Sequence, residues 1–269
     1  MTVSLIVTTY NWPEALNLTL QSLLNQSHLP DEVIVADDGS KEPTARTVNE
    51  FAEQAPFPVI HSWQEDLGFR AAMSRNRAAA ISSSEYLIFI DGDMLLHKHF
   101  IVDHLRYAEE KYFLQGGRAL LDREITLKTL KNEKNMDFTP FTPGLSNRLN
   151  SCYCPSLSRL FVRSNHSMRG IRTCNFSLFK KDLLDINGFD NEFVGWGRED
   201  SEFVARLYHN GVKRKNLKFC AIAYHLYHPE NERAALAEND RRLEETRKKK
   251  KIRCDDGINR FLHHKKSQK

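Results

Sequence analysis

Three short apolar runs, each ending in a polar cluster, constrain this chain more than any other feature. Val3 to Thr8 is rich in β-branched residues and ends in Thr8-Thr9-Tyr10-Asn11. Glu32 to Ala36 ends in Asp37-Asp38-Gly39-Ser40, and Tyr86 to Ile90 runs into Asp91-Gly92-Asp93. Helical patterns lie between them. Asn11 stands three residues before Glu14, with Pro13 in the first turn, which predicts a capped helix start. Leu16, Leu20, Leu23 and Leu24 then share one face. A helical stretch through Phe51, a strand at Val59 to Ser62 and an Ala-rich helix from Arg70 to Ile81 complete the alternation. Such alternation predicts an α/β fold: βαβ units in a mostly parallel central sheet with helices on both faces. Ligands bind these sheets beyond the carboxyl ends of the strands, where all three polar clusters fall.

Beyond Leu121 the pattern loosens. Residues 122–170 are rich in Asn, Ser, Pro, Lys and Arg and read as a long irregular stretch, either a functional loop or a mobile segment. Structure returns with a strand at Thr173 to Phe179, a short helix around Asp182 to Ile186, and a helix from Asp200 to Asn210. A strand over Leu217 to Ala223 leads into Tyr224-His225-Leu226-Tyr227-His228, and Glu232 to Lys251 reads as a charged helix.

At 269 residues the chain can bury a full core. No apolar run approaches the roughly 18 residues that cross a bilayer, and Met1-Thr-Val-Ser reads as a strand start rather than a signal peptide. The five cysteines lack framework spacing, and Cys152-Tyr153-Cys154 has no second pair to complete a zinc site. They read as free thiols in a reducing cytoplasm. Charge is uneven. Residues 241–269 hold 12 Lys and Arg against 4 Asp and Glu, a net +8 in a chain of +4, so residues 1–240 carry −4. That basic tail is either a solvated helix face or a docking contact for phosphorylated core oligosaccharide or for anionic lipid at the inner membrane face. Nucleic acid is excluded as its partner, since Arg247 to Arg253 has no aromatic to stack bases.

Two carboxylates flanking a glycine after a buried strand, as in Asp91-Gly92-Asp93, can share Mg²⁺ or Mn²⁺ with phosphate oxygens. Acidic turns after strands are also common without any metal. Gly195-Trp196-Gly197-Arg198-Glu199-Asp200 offers a flat apolar face for a sugar ring and two carboxylates at a helix start. One of these can take a proton from a hydroxyl, or Asp200 simply caps the helix. His225 and His228 end a strand on the same side, and His225 is the better candidate for a nitrogen ligand to the metal.

These segments, in this order, resemble family-2 glycosyltransferases with the GT-A fold, particularly bacterial enzymes that build lipopolysaccharide core or capsule. The resemblance rests on Val3 to Asn11, Ala36 to Ser40, Asp66 to Ala71, Arg75-Asn76 and Asp91 to Asp93. Gly188-Phe189-Asp190 and Gly195 to Asp200 resemble the galactosyltransferase-type C-terminal module of chondroitin polymerases and β-1,4-galactosyltransferases. The resemblance implies a nucleotide-sugar half at 1–121, an acceptor-binding and catalytic half at 122–240 and a basic tail at 241–269. It places Thr8 and Tyr10 beside the uracil and ribose and Asp38 on the uracil. Arg70 and Arg75 fall at nucleotide-binding or loop-ordering positions. Asp91 would contact the ribose and the groups around the metal, and Asp93 and His225 would bind Mn²⁺ or Mg²⁺. Trp196 would stack on a sugar, Glu199 would bind one, and Asp200 would be the base. A UDP-sugar donor, an oligosaccharide or glycolipid acceptor and inversion to a β-glycoside follow from the same likeness.

Other βαβ enzymes fit less well. A dinucleotide-binding dehydrogenase requires Gly-x-Gly-x-x-Gly after the first strand, and a sugar-nucleotide pyrophosphorylase a glycine-rich phosphate loop there. This chain has Thr-Thr-Tyr-Asn-Trp. A catalytically inactive glycan-binding module on the same fold is the remaining alternative.

Overall fold

The computed structural model describes residues 1–132, 138–229 and 233–262. Its first part alternates β1 (Val3–Thr9), α1 (Pro13–Leu24), β2 (Glu32–Asp37), α2 (Glu42–Gln54), β3 (Val59–Trp63), α3 (Ala71–Ile81) and β4 (Tyr86–Asp91). Then come β5 (Met94–Leu96), α4 (Phe100–Tyr107), β6 (Tyr112–Gln115), β7 (Ala119–Leu121), α5 (Arg123–Asn132), β8 (Leu145–Ser146), α6 (Pro155–Phe161) and β9 (Ser164–Asn165). The last part holds β10 (Asn175–Phe179), α7 (Lys180–Asp185), α8 (Glu199–His209), β11 (Lys213–Asn216), β12 (Ala223–His225), α9 (Leu236–Lys249) and α10 (Asn259–Leu262).

The main sheet has the order β3-β2-β1-β4-β10-β6-β11-β9. β3, β2, β1 and β4 run parallel, so their polar ends emerge together. β10 runs antiparallel to both β4 and β6. Asn175 therefore pairs with Ile90, and the chain just before it lies beside Asp91. Both sheet faces are covered, which is why the central strands read as unbroken apolar runs. Leu5, Val7, Val33 and Val35 meet α1, α2 and α4 on one face. Ile6, Ile34, Phe89 and Phe176 meet α3, α7 and α8 on the other. A second sheet, β5-β12-β7-β8, carries His225 to the same rim.

Several local expectations change. Asn11 does not cap α1. Trp12 holds that position, and Asn11, at φ 47°, spans to the next loop by donating from its N–H to Ser40 Oγ and accepting from Lys41 N. The stretch 122–170 holds more regular structure than its composition suggested. Asp122 Oδ1 accepts from Ile125 N to start α5, and Thr126 and Thr129 face inward. The strand expected over Leu217 to Ala223 is instead an irregular, largely buried loop that joins β11 to β12. Phe219 and Ala221 have positive φ, and side chains satisfy the backbone: Asp103 Oδ2 accepts from Ala221 N and Asn175 Nδ2 donates to Ala221 O. An apolar run can therefore stay buried without pairing as a strand.

The basic C-terminal segment is partly built into the body. Thr246 Oγ1 donates to Glu202 Oε1, Asn187 Nδ2 donates to Cys254 O, and Ile258 is buried in the main core. Residues 263–269 lie outside the described residues. No helix among the described residues is long and apolar enough to cross a membrane, and all five cysteines are free thiols.

A buried ion pair fixes α8. Arg206, 0% exposed, donates from Nε and Nη2 to the two oxygens of Glu202 at 2.7 and 2.8 Å. Its Nη1 donates to Ile186 O and Gly188 O, while Thr246 Oγ1 of α9 donates to Glu202 Oε1. Arg206→Met strands a buried carboxylate and is expected to cost about 3–5 kcal/mol, read as a fall in the urea midpoint. Adding Glu202→Met should recover part of that loss.

Candidate active site

A cleft of about 1210 Å³ opens where the order of parallel strands reverses at β1 and β4. Register puts Thr8 beside Asp91, and the Gly92 N–H donates to Thr8 O at 2.7 Å. A Cβ on Gly92 would meet that oxygen at 3.1 Å, so the tight turn that separates the two acidic residues favours glycine.

Arg75, on α3, is the centre of the cleft and is 5% exposed. Its Nε donates to Thr8 Oγ1 at 3.2 Å, Nη2 to Asp91 Oδ1 at 3.3 Å and Nη1 to Asp200 Oδ1 at 3.4 Å. Glu199 Oε1 lies 3.9 Å from Nη1. Asp200 is not spent as a cap. Arg198, at φ 72°, occupies the cap position, and Asp200 instead accepts from Thr173 N and Thr173 Oγ1 at 2.9 and 2.7 Å. The antiparallel β10 is what brings Thr173 to this place. Thr173, Arg118, Arg172 and Arg233 were not singled out from the sequence. The pairing of β10 with β4 brings Thr173 and Arg172 here, whereas Arg118 arrives from the turn before β7 and Arg233 from the turn before α9; the three arginines line the cleft.

Asp93, His225 and His228 converge, with one ligand atom from each within 4.8 Å of the others. Asp93 Oδ2 is 3.3 Å from His225 Nε2 and 3.4 Å from His228 Nε2, so both histidines, not His225 alone, belong to this group. Asp93 Oδ1 is buried and has no hydrogen-bond partner among the described residues. A carboxylate with one unused oxygen beside two imidazole nitrogens suits a divalent cation. Asp91 faces Arg75 and stands outside this trio.

On the side of the cleft formed by β1 and β2, Tyr10 is half exposed and its hydroxyl donates to Asp66 Oδ2 at 2.9 Å. Asp38 accepts from Gln64 Nε2 at 2.6 Å and from Arg70 N at 2.7 Å. The Arg70 side chain is not brought into the cleft: its Nε donates to Leu67 O at 3.3 Å, and its contribution here is through the backbone. Trp196 lies on the opposite wall, with the Arg233 guanidinium 5.4 Å from its ring centroid.

Burial governs the titration of the cleft. It raises Asp38 to about 6, and it raises Asp93 well above the carboxylate range with help from the Asp91 charge. Burial and then the Arg118 charge lower His225 to about 3, leaving the neutral imidazole that ligates metals. Glu199 is pushed up to about 7 by burial and by the charge of Asp200.

Comparison with known proteins fits this geometry. Residues 4–167 match the family described as glycosyl transferase family 2. The chain belongs to that family. Residues 158–229 match the N-terminal domain of galactosyltransferase, in agreement with the likeness of the Gly188 to Asp200 region. Chondroitin synthase from Escherichia coli is 30% identical over 264 residues, covering 87% of this chain and 36% of that protein. Hyaluronan synthase from Pasteurella multocida is 31% identical over 249 residues, covering 86% of this chain and 25% of that protein. The chain thus spans about a quarter to a third of the length of these curated relatives. The structure of S. aureus TarS 1–349 in complex with UDP matches with a TM-score of 0.64 at 17% identity, covering 98% of this chain and 70% of that one. The likeness is one of fold, and the GT-A architecture expected from the motif order is the one found.

Glu199 gives a test by pH. With its folded pKa raised from 4.5 to about 7, the folded chain holds a proton that the unfolded chain releases in that window. Stability therefore falls as pH rises from about 4.5 to about 7, by on the order of 3 kcal/mol. Glu199→Gln cannot ionise. Its melting temperature relative to the parent, measured in EDTA, should rise across that window and level off above it.

Proposed function

We propose that this chain is an inverting, metal-dependent hexosyltransferase. It moves a hexose or N-acetylhexosamine from a UDP-sugar to a hydroxyl of a surface glycan, on a lipopolysaccharide-core, capsule or similar acceptor. The bond formed is a β-glycoside, and the reaction is assigned to the cytoplasm at the inner membrane face. One observation carries the reading: Asp200, tied by Thr173 and Arg75 rather than used as a cap, shares a cleft with the Asp93–His225–His228 group.

The acceptor hydroxyl loses its proton to Asp200 as its oxygen attacks the anomeric carbon. Attack from the face opposite the departing diphosphate breaks the anomeric C–O bond in one displacement, so an α-linked donor yields a β-linked product. Thr173 and Arg75 hold the carboxylate in one orientation before the acceptor arrives. Glu199, whose carboxyl burial and the Asp200 charge push up to about 7, can donate to one sugar hydroxyl when protonated or accept from another when ionised. Trp196 offers its face to a sugar ring, while Thr8, Tyr10 and Asp38 border the nucleoside. Asp93, His225 and His228 would hold Mn²⁺ or Mg²⁺, which when bound offsets negative charge on the leaving diphosphate.

Mass-spectrometric screening of UDP-Glc, UDP-Gal and their N-acetyl forms against core and capsule acceptors should find one productive pair. In that pair Asp200→Asn, which keeps the side-chain outline while removing the proton acceptor, should lower turnover by roughly 10²–10⁴-fold with little change in UDP affinity. A near-parental rate would end the assignment of the base.

The metal is tested separately. Activity should vanish in EDTA and return with Mn²⁺ or Mg²⁺, and Asp93→Ala should lose metal-dependent UDP binding by calorimetry. Unchanged binding would remove Asp93 from the site.

A further inference from the structure

The longest stretch of this chain without a carboxylate is residues 138–181, which hold seven Lys or Arg and no Asp or Glu. It interrupts a body, residues 1–240, that is net acidic. Within it α6 is amphipathic the wrong way round. Surface helices normally turn an apolar stripe inward. Here Ser158 is the buried residue, with its hydroxyl 2.6 Å from that of Tyr107. Leu157, Leu160 and Phe161, at i, i+3 and i+4, form a stripe that is 36, 62 and 47% exposed. Leu149, in the turn just before α6, is 76% exposed.

Cations surround this apolar stripe. Arg148, Arg159, Arg163 and Lys218 are all exposed, and none pairs with a carboxylate among the described residues. Lys218 belongs to the patch because the ring of its neighbour Phe219 meets Phe161 at 5.3 Å. Glu109 is engaged by Lys215. From α6 the chain passes through β9 and, within a few residues, lines the cleft at Met168 and Gly170 to Arg172.

We propose that α6 and the turn before it form a docking surface for an anionic lipid bilayer. Exposed leucines can enter the boundary between headgroups and acyl chains while the surrounding arginines and Lys218 meet lipid phosphates. A neutral surface would leave the cations unused, and a purely electrostatic partner would leave the leucines in water. Docked in this way, the protein holds the cleft wall that follows β9 close to the lipid surface. This surface is separate from the basic C-terminal segment and does not depend on the reaction assigned above.

Vesicle flotation of the full chain tests the proposal. The protein should float with phosphatidylglycerol-containing vesicles and not with pure phosphatidylcholine, and should be released by salt. Arg148→Glu/Arg159→Glu should weaken binding by roughly 30-fold or more, and Leu157→Ser/Leu160→Ser by about tenfold or more. Both variants should keep their melting temperature and circular dichroism spectrum, and Lys248→Glu/Lys249→Glu in α9 should bind nearly as the parent does. Equal flotation with neutral vesicles, no flotation at all, or parental binding by the Leu157→Ser/Leu160→Ser variant would overturn the proposal. So would loss of binding confined to the α9 variant, which would move the contact to the C-terminal segment. A dimer of the parent that Leu160→Ser dissolves would assign the patch to a second copy instead.

Discussion

Asp91, Glu199 and Asp200 converge in one cleft, and carboxylates so close repel one another strongly in a site shielded from water. Arg75 is what allows them to coexist. Burial opposes its charge, yet the three carboxylates together outweigh burial and keep the guanidinium protonated. Its contacts come from β1, β4 and α8, elements that are far apart in sequence. Removing it would leave several buried charges uncompensated, a cost that nearby solvation could not offset. One side chain on α3 thus sets the distance between the two halves of the cleft. Next to it, Asn76 ties α3 to the Gly188–Asp190 turn, donating to Phe189 O and accepting from Phe189 N.

Much of this arrangement was legible in the sequence. The order of strands and helices through Asp91 follows from β-branched runs separated by helical periodicity, because buried parallel strands leave that imprint. The cleft clusters follow from the same logic, since polar residues after such strands emerge at one rim. The resemblance to a known family then gave Asp38, Arg75, Asp93, Glu199 and Asp200 their places, and the structure brings all five to the cleft. Arg70 serves its surroundings through the backbone and the neighbouring loop rather than the cleft. It lies one residue before α3, close enough to Asp38 for its backbone N–H to serve while its guanidinium turns to Leu67.

What sequence could not reveal depends on long-range pairing. Nothing local distinguishes Thr173 from any other threonine; it matters because β10 runs against β4. Likewise His228 follows His225 by three residues, beyond the end of a short strand, and only the path of the chain after β12 returns its ring to Asp93. The segment Leu217 to Ile222 reads as a strand by hydrophobicity, and its true shape is set by Asp103 and Asn175 reaching in from other elements. Charge misled in the same way. A run of lysines and arginines suggested a tail apart from the body, but buried Thr246, Cys254 and Ile258 are spread among them and anchor the segment.

The reversed direction of β10 has a consequence for how such a chain can diverge. The chain leaves the rim after β7 and returns to it at Thr173, so everything between begins and ends at the mouth of the cleft. Changes confined to the exposed turns of that excursion, with β8 and β9 kept in their sheets, leave the register of β1, β4 and β10 untouched, and with it the spacing of Arg75, Asp91 and Asp200. The turns best placed to choose a partner are thus hung from two fixed points on the rim. Partner choice can drift in those turns without retuning the chemistry they border.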